Sequence, residues 1–401
     1  MSSSSSSESE GDLVNVNRFL VGKYRPGDEV FEDEERELAV KRRRLKRRLA
    51  TTLLIAAKGV LEAYVSYRGG LNEMRTYVVP QKVWNPDSFC DRNFQAHFRF
   101  ERHEAELIIN ELALPSHIVT SHRDKAPVLE VFCMMCMKFA YPTRYCTMLR
   151  EYGRSQSAMS RLIKALRSEL YDRYSHSLRH PRPLCEDECA CFASKCRSKC
   201  GNPIVVGFID GTVREITKPT VLQGPLYNGK DRKHSLKYQA INTPDGIIRH
   251  LAGPYPGSRH DQFMLKESRI LEWIGLFPPQ ANTGWPHVIY ADCGYSTVPG
   301  KIEVPFADEA VNPVHAGYNN AMTTVRISVE WAFGGILRHW ASLGWVPDQQ
   351  LLSQRKIGQI YFVAALLTNL LNCVRPNQTS QYFDCTPPSL SEYLASVTRQ
   401  R

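Results

Sequence analysis

Two short apolar stretches that each end in an aspartate constrain this chain most strongly. In PIVVGFID, apolar residues from position 204 to 209 precede Asp210, and in HVIYAD the run from 288 to 291 precedes Asp292. Such runs are typical of buried strands. Because the carboxyl ends of adjacent parallel strands meet at one sheet edge, where ligands bind, we expect the two aspartates there, each followed by a turn. Asp-Gly is also a common turn signal, so Asp210 alone has two interpretations.

A third acid, Glu330, lies in NNAMTTVRISVEWAFGGILRHWASL, which has the pattern of a helix with an Asn or Thr cap. Large apolar residues flank it, so we expect its carboxylate to face the sheet edge or a ligand. Three converging carboxylates repel one another unless a cation compensates, and oxygen ligands suit Mg²⁺ or Mn²⁺. Two such ions would support displacement at a phosphodiester. The sequence therefore predicts a metal site.

Each acid also has an ordinary alternative. Asp210 could be a turn residue, Asp292 a helix N-cap, and Glu330 the partner of Arg326 one helical turn earlier. A fourth acid, Asp261, follows a predicted hairpin around the turn TPDG and begins the predicted amphipathic helix RHDQFMLKESRILEWIGLF. It either caps that helix or joins the metal site.

The charge pattern favours a polyanionic partner. The net charge is +10 with a pI near 9.0, although many intracellular proteins are mildly basic. Residues 1–50 combine an acidic, serine-rich tail, predicted to be disordered, with a basic cluster that predicts nuclear localisation or nucleic-acid binding: Lys41, Arg42, Arg43, Arg44, Lys46, Arg47 and Arg48. A solvated helical face is the alternative. The start has no signal-peptide core, and no apolar run approaches the roughly 18 residues of a membrane span.

Residues 85–180 have a helical pattern that resembles a helix-turn-helix. A first helix ends near Gly153, and Ser155 or Ser157 can cap the next. Arg154 and Arg161 would lie on its exposed side and contact DNA. An ordinary helical hairpin is the equally weighted alternative.

Five cysteines cluster between positions 185 and 200. Cys185, Cys189, Cys196 and Cys200 recur with helical spacing, so one helix could bury them on a single face. A zinc site more often has close Cys pairs or a Cys/His combination. Core cysteines are therefore favoured over zinc, and the role of the cluster stays open.

Four ordered blocks resemble the PIF/Harbinger transposases and their domesticated nuclease relatives: GFIDGT, the stretch from YNGKDRKHSLKYQ to PGSRHDQF, YADCGY, and TTVRISVEWAFGG. The resemblance implies an RNase H-like α/β fold and a DDE triad of Asp210, Asp292 and Glu330, with Asp261 as an additional acid. The chain departs from the family at Val213, where histidine is usual, and at Cys293, where serine is usual. Neither departure removes an acid.

These observations predict an RNase H-like DDE nuclease domain over 203–375, preceded by the helical region and followed by a tail over 376–401. The expected function is nuclear, Mg²⁺- or Mn²⁺-dependent DNA cleavage by a two-metal mechanism. Phosphate contacts are expected near the hairpin from Lys230, Arg232, Lys233 and Lys237. The resemblance implies a separate Myb/SANT-like accessory protein, and a homo-oligomer is an open prediction. The alternative is a domesticated, non-catalytic DNA-binding or scaffolding protein.

Overall fold

The computed structural model describes residues 79–351 and 356–398. The predicted disordered tail and the basic cluster within residues 1–50 lie outside the described residues. The two predicted folded regions, 85–180 and 203–375, lie in one compact unit that begins at Val79.

A mixed β-sheet forms the centre of this unit. A separate pair, β1 and β2, is antiparallel. Within the main sheet, β3 lies between β5 and β7, β8 lies beyond β7, and β6 and the short β4 both pair with β5. The strands β3, β5 and β6 are antiparallel, whereas β7 and β8 run parallel to β3 and to each other. The strand bounds are β1 His117–Val119, β2 Lys125–Pro127, β3 Val205–Glu215, β4 Tyr227–Asn228, β5 Lys233–Asn242, β6 Ile248–Pro256, β7 Val288–Tyr290 and β8 Ile302–Glu303.

The helices are α1 Asp91–Phe98, α2 Arg102–Glu111, α3 Val128–Ala140, α4 Tyr145–Tyr152, α5 Gln156–Arg179, α6 Glu186–Cys200, α7 Gln223–Leu226, α8 Asp261–Glu267, α9 Ile270–Ile274, α10 Pro313–His339, α11 Ile357–Val374, α12 Gln378–Phe383 and α13 Leu390–Thr398. Helices α6 and α10 pack against β3, and α5 and α11 pack against β6. The sheet is thus covered by helices from before and after it in sequence.

The turn predicted at Asp210-Gly211 is wrong. Strand β3 continues through both residues to Glu215, and Gly211 pairs with Gln239 of β5. The predicted hairpin around TPDG is present, since β5 and β6 pair on either side of it. The long antiparallel partner explains the difference, because its pairing with β3 satisfies the backbone where a local signal favoured a turn.

The helix-turn-helix-like segment has the predicted local shape. Gly153 ends α4 in the left-handed conformation, and the Ser155 hydroxyl caps α5 by accepting a hydrogen bond from the Ala158 amide. Helix α5 then packs against α3, α11 and β6. This long helix is therefore part of the core of the whole unit, and its role in reading DNA stays a prediction.

Two other helix predictions need correction. The single amphipathic helix expected after the hairpin is two short helices, α8 and α9, separated at Arg269, whose φ of 54° is left-handed. The helix that carries Glu330 starts earlier than predicted, at Pro313, because the Asn312 side chain caps it and proline suits a first turn.

The cysteine cluster lies on α6, as its spacing predicted. Cys189 and Cys196 are buried with Phe192, whereas Cys185 and Cys191 are exposed. The helix therefore buries part of the cluster rather than all of it. Among the described residues, α11 is the one helix long and apolar enough to cross a membrane, and 67% of it is buried inside the protein.

Candidate active site

Asp210 and Asp292 lie at the same level along the neighbouring parallel strands β3 and β7, Asp210 within β3 and Asp292 just after β7. Phe208 pairs with Tyr290, and each aspartate stands two residues farther along. Strand β7 ends at Tyr290, so Asp292 lies in the loop that follows, where its Oδ1 accepts a 2.9 Å hydrogen bond from the Gly294 amide. Asp292 thus begins a turn and caps no helix. Because β7 has ended, Asp210 has no strand partner on that side, and its side chain is 17% exposed.

The carboxylate of Asp261 lies beside the same loop. Asp261 is the first residue of α8, and no side chain caps this helix. A Cβ added to Gly294 would lie 2.9 Å from Asp261 Oδ2 and 3.1 Å from Asp292 Oδ1, and one added to Gly211 would lie 3.0 Å from Asp261 Oδ1. Two glycines therefore leave room for the Asp261 carboxylate next to Asp292. Of the two alternatives for Asp261, the structure places it with the acids.

Glu330 joins the aspartates through a guanidinium. Arg326 donates to Asp210 Oδ2 at 3.2 Å and to Glu330 Oε1 at 2.8 Å. The Glu330 side chain is 50% exposed, so it faces the open side of the site. The expected partnership of Glu330 with Arg326 is present, and the same arginine connects Glu330 to Asp210 on the sheet.

The electrostatics of the site reflect the proximity of its acids. The pKa of Asp210 is raised to about 6, chiefly by burial and further by repulsion from Asp292 and Glu330, although the Gly211 amide and Arg326 oppose the shift. The pKa of the Tyr295 hydroxyl is raised by burial and by the charges of Asp261, Asp210 and Asp292. All three aspartates therefore lie near one buried tyrosine.

Lys237 belongs to this site. It was predicted to contact phosphate, but its side chain is only 14% exposed and its Nζ lies 3.7 Å from Asp261 Oδ1. Sequence reasoning also gave no role to Tyr295, whose hydroxyl donates to Gln239 Oε1 at 3.4 Å. The pairing of β3 with β5, in which Gly211 lies opposite Gln239, brings the β5 side chains of Lys237 and Gln239 to Asp261 and Tyr295, and no local pattern signals it.

The residues present fit a divalent metal ion. The four carboxylates come from separate elements and meet in pairs at one sheet edge: Asp261 lies beside Asp292 at Gly294, and Arg326 links Asp210 to Glu330, with Lys237 at Asp261. The donor atoms are all carboxylate oxygens, the chemistry that Mg²⁺ and Mn²⁺ prefer. Asp210, Asp261, Asp292 and Glu330 could together hold such an ion.

Four of the six predicted DNA contacts have acidic partners in the protein. Arg154 pairs with Glu130, which is 5% exposed, and Arg161 pairs with Asp124. Lys233 pairs with Glu215, and Lys237 lies at Asp261. Lys230 and Arg232 are exposed near the tip between β4 and β5. Among the six, these two are therefore best placed to meet a phosphate.

Another group of residues of the types that bind metals occurs in α2 and just before it, more than 100 positions before Asp210 in the sequence. The ligand atoms of Glu101, His103 and Glu104 lie within 4.8 Å of one another. Both glutamates form the capping box of α2, and Arg375 pairs with both. These contacts explain the cluster without a metal ion.

Comparisons with known proteins agree with this geometry. The family model "DDE superfamily endonuclease" matches residues 209–369, a stretch that holds all four acids. "Protein ALP1-like" of Arabidopsis thaliana is 22% identical over 232 residues, 55% of this chain and 54% of the relative. The chain thus spans about half the length of this curated relative. No solved structure matches. The match over residues 209–369 supports the family predicted from the sequence, the DDE superfamily endonucleases.

Proposed function

We propose that this protein is a nuclear, divalent-metal-dependent DNA endonuclease of the transposase type. The observation that carries the proposal is the convergence of Asp210, Asp261, Asp292 and Glu330 from a strand, a helix start, a loop and a second helix. Acids so far apart in sequence come together at a cost in repulsion, which a bound cation would offset.

The chain's own residues would prepare the site in distinct ways. Buried Asp210 is oriented by the Gly211 amide, which donates to Oδ1 at 2.7 Å. Asp292 is held by the Gly294 amide, and half-exposed Glu330 closes the solvent side. Lys237 balances part of the charge at Asp261. When bound by these acids, Mg²⁺ or Mn²⁺ would activate a water or 3′-hydroxyl and stabilise the leaving oxygen at a phosphodiester.

We further infer that the domain is RNase H-like. Supporting this inference, the antiparallel strands β3, β5 and β6 continue into the parallel strands β7 and β8, with Asp210 on the central strand β3 and Asp292 in the loop that follows the adjacent β7.

DNA is the substrate that the family name implies. Lys230 and Arg232 would contact its phosphates, which would make binding strongly dependent on salt. Nuclear entry would rest on the basic cluster from Lys41 to Arg48. A Myb/SANT-like accessory partner is a further prediction of the resemblance, and a homo-oligomer is an open prediction; each can be tested by a direct interaction assay.

One observation favours a second candidate function, a non-catalytic DNA-binding or scaffolding protein. Arg326 already compensates Asp210 and Glu330, so the acids can be held together without a metal ion. The two candidates differ in whether the site cleaves DNA.

A cleavage assay separates the candidates. Purified protein and its Asp292→Asn variant would be incubated with supercoiled DNA and Mn²⁺, Mg²⁺ or EDTA, and DNA binding would be measured in parallel. The proposal predicts metal-dependent nicking that the variant loses while it still binds DNA. Equal binding without cleavage by either protein would favour the scaffolding function.

A further inference from the structure

Neither the predicted triad nor the metal chemistry assigns a role to Arg326, although it lies in the site. Its two guanidinium nitrogens contact two different acids, Asp210 Oδ2 at 3.2 Å and Glu330 Oε1 at 2.8 Å. The arginine side chain is 21% exposed, so it is held within the site and is partly open to solvent. It therefore lies between two carboxylates that would otherwise be free to bind a cation.

The charges of the site divide into two sides. On one side Arg326 joins Asp210 to Glu330, and on the other Lys237 lies beside Asp261 near Asp292. Four carboxylates and two cations leave two negative charges. One divalent ion would neutralise them, whereas two divalent ions would leave a charge of +2 with Arg326 in place and +1 with Arg326 displaced. Repulsion at such short distances is strong in a partly buried site.

We propose that Arg326 is a built-in counter-ion of the Asp210–Glu330 side, which a second divalent cation must displace. This inference rests on the proposed function, because it assumes that the acids bind metal ions. The first ion would enter on the side of Asp261 and Asp292, where no guanidinium bridges the acids among the described contacts. Arg326 would thus determine how many ions the protein holds before DNA arrives.

The contacts of Arg326 with Asp210 and Glu330 should also stabilise the metal-free protein. The side chain of Asp210 is 17% exposed, and the Arg326 guanidinium contacts its Oδ2 at 3.2 Å. Without the guanidinium, Asp210 and Glu330 would face each other uncompensated. A variant without this charge should therefore be less stable than the wild-type protein in EDTA. Metal ions should raise its stability by more than they raise that of the wild-type protein.

The test compares Arg326→Met with Arg338→Met, the same substitution at an exposed position on the same helix. Mn²⁺ binding would be counted by electron paramagnetic resonance of the free ion, and thermal unfolding would be measured in EDTA and in Mn²⁺. Arg326→Lys keeps the charge and separates charge from packing. None of these readouts requires cleavage.

We expect the wild-type protein and Arg338→Met to bind one Mn²⁺ tightly and a second weakly. Arg326→Met should bind the second about tenfold more tightly, which corresponds to one pKa unit of interaction, unfold at a lower temperature in EDTA and show a larger Mn²⁺-induced rise. Arg326→Lys should stay close to the wild-type stoichiometry.

Unchanged Mn²⁺ affinity and unchanged stability in EDTA for Arg326→Met would overturn the inference. Weaker Mn²⁺ binding would also overturn it, since Arg326 would then be positioning the acids for the metal rather than competing with it. A loss shared equally by Arg326→Lys would assign the effect to packing. If the wild-type protein binds no Mn²⁺ but Arg326→Met is still destabilised in EDTA, the metal function fails while the counter-ion role stands.

Discussion

Phe208 on β3 pairs with Tyr290 on the parallel strand β7. This single register places Asp210 and Asp292 side by side, because each follows its partner by two residues. The aspartates come together where β7 ends and β3 continues, so the sheet supports one of them and a loop the other. Strand pairing therefore positions Asp210, whereas the Gly294 amide positions Asp292.

Gly294→Ala should abolish most cleavage without unfolding the protein. The new Cβ would lie 2.9 Å from Asp261 Oδ2 and 3.1 Å from Asp292 Oδ1, so both carboxylates would have to move. Small displacements of catalytic groups cost about 100-fold in rate. The matched control is Gly334→Ala on α10, where a Cβ meets no atom within 4 Å and alanine stabilises a helix by about 0.5–1 kcal/mol. Wild-type cleavage by Gly294→Ala would contradict this arrangement of the acids.

Asp261→Asn should weaken Mn²⁺ binding and leave stability nearly unchanged. Its carboxylate caps no helix and faces Gly294 and Lys237, so the charge serves the site rather than α8. Isothermal titration calorimetry should show an affinity about tenfold lower, whereas the free energy of unfolding in EDTA should change by less than about 0.5 kcal/mol. A large loss of stability with unchanged Mn²⁺ affinity would assign Asp261 a structural role.

His250 should make the protein sensitive to acid. It is fully buried, and neither ring nitrogen has a hydrogen-bond partner among the residues that the structure describes. Burial, helped by the charges of His180 and Arg179, lowers its pKa to about 3. Between about pH 6.5 and pH 3, the His250 imidazole is protonated in the unfolded chain but not in the folded protein. The contribution of His250 to stability is therefore fully present above pH 6.5 and falls by about 1.4 kcal/mol per pH unit down to about pH 3.

Urea unfolding at pH 4.5, 5.5, 6.5 and 7.5 measures this effect. Below pH 6.5, the unfolding free energy of His250→Phe should fall less steeply with decreasing pH, by the contribution of about one proton. His103→Gln, at an exposed position, should keep it. An identical slope in His250→Phe would show that His250 is protonated in the folded protein.

The predicted DNA contacts should separate into two classes. Alanine at Lys230 or Arg232 should leave stability unchanged and reduce the salt dependence of DNA binding by about one unit of slope each. Alanine at Arg154 should instead destabilise the protein by about 3 kcal/mol, because it leaves the buried Glu130 unpaired. Fluorescence anisotropy across salt concentrations and urea unfolding measure the two effects. A reduced salt slope in a stable Arg154→Ala protein would restore its predicted role at DNA.

The acids could be predicted from the sequence because each depends on a local pattern. Apolar runs signal the strands before Asp210 and Asp292, and helical spacing signals the position of Glu330. The continuation of β3 past Asp210 could not be predicted, since it depends on pairing with β5 rather than on the Asp-Gly dipeptide. The earlier start of α10 was signalled by Asn312 before Pro313.

The charged contacts were harder to predict. The helical spacing of Arg326 and Glu330 suggests their pairing, but the bond from Arg326 to Asp210 joins residues 116 positions apart. Arg154 and Arg161 appear as an exposed basic face in the sequence, yet their acidic partners lie 24 and 37 positions away. Ion pairs of this kind depend on tertiary packing, which periodicity does not report.

The most direct test is a crystal of the protein soaked in Mn²⁺, with anomalous scattering used to locate the ion. We predict an anomalous peak in contact with carboxylate oxygens of Asp292 and Asp261, the side on which the first ion would enter, and its loss in Asp292→Asn. An ordered site without a peak at millimolar Mn²⁺, or a peak only at Glu101, His103 and Glu104, would contradict the proposal that these acids form a metal-dependent nuclease site.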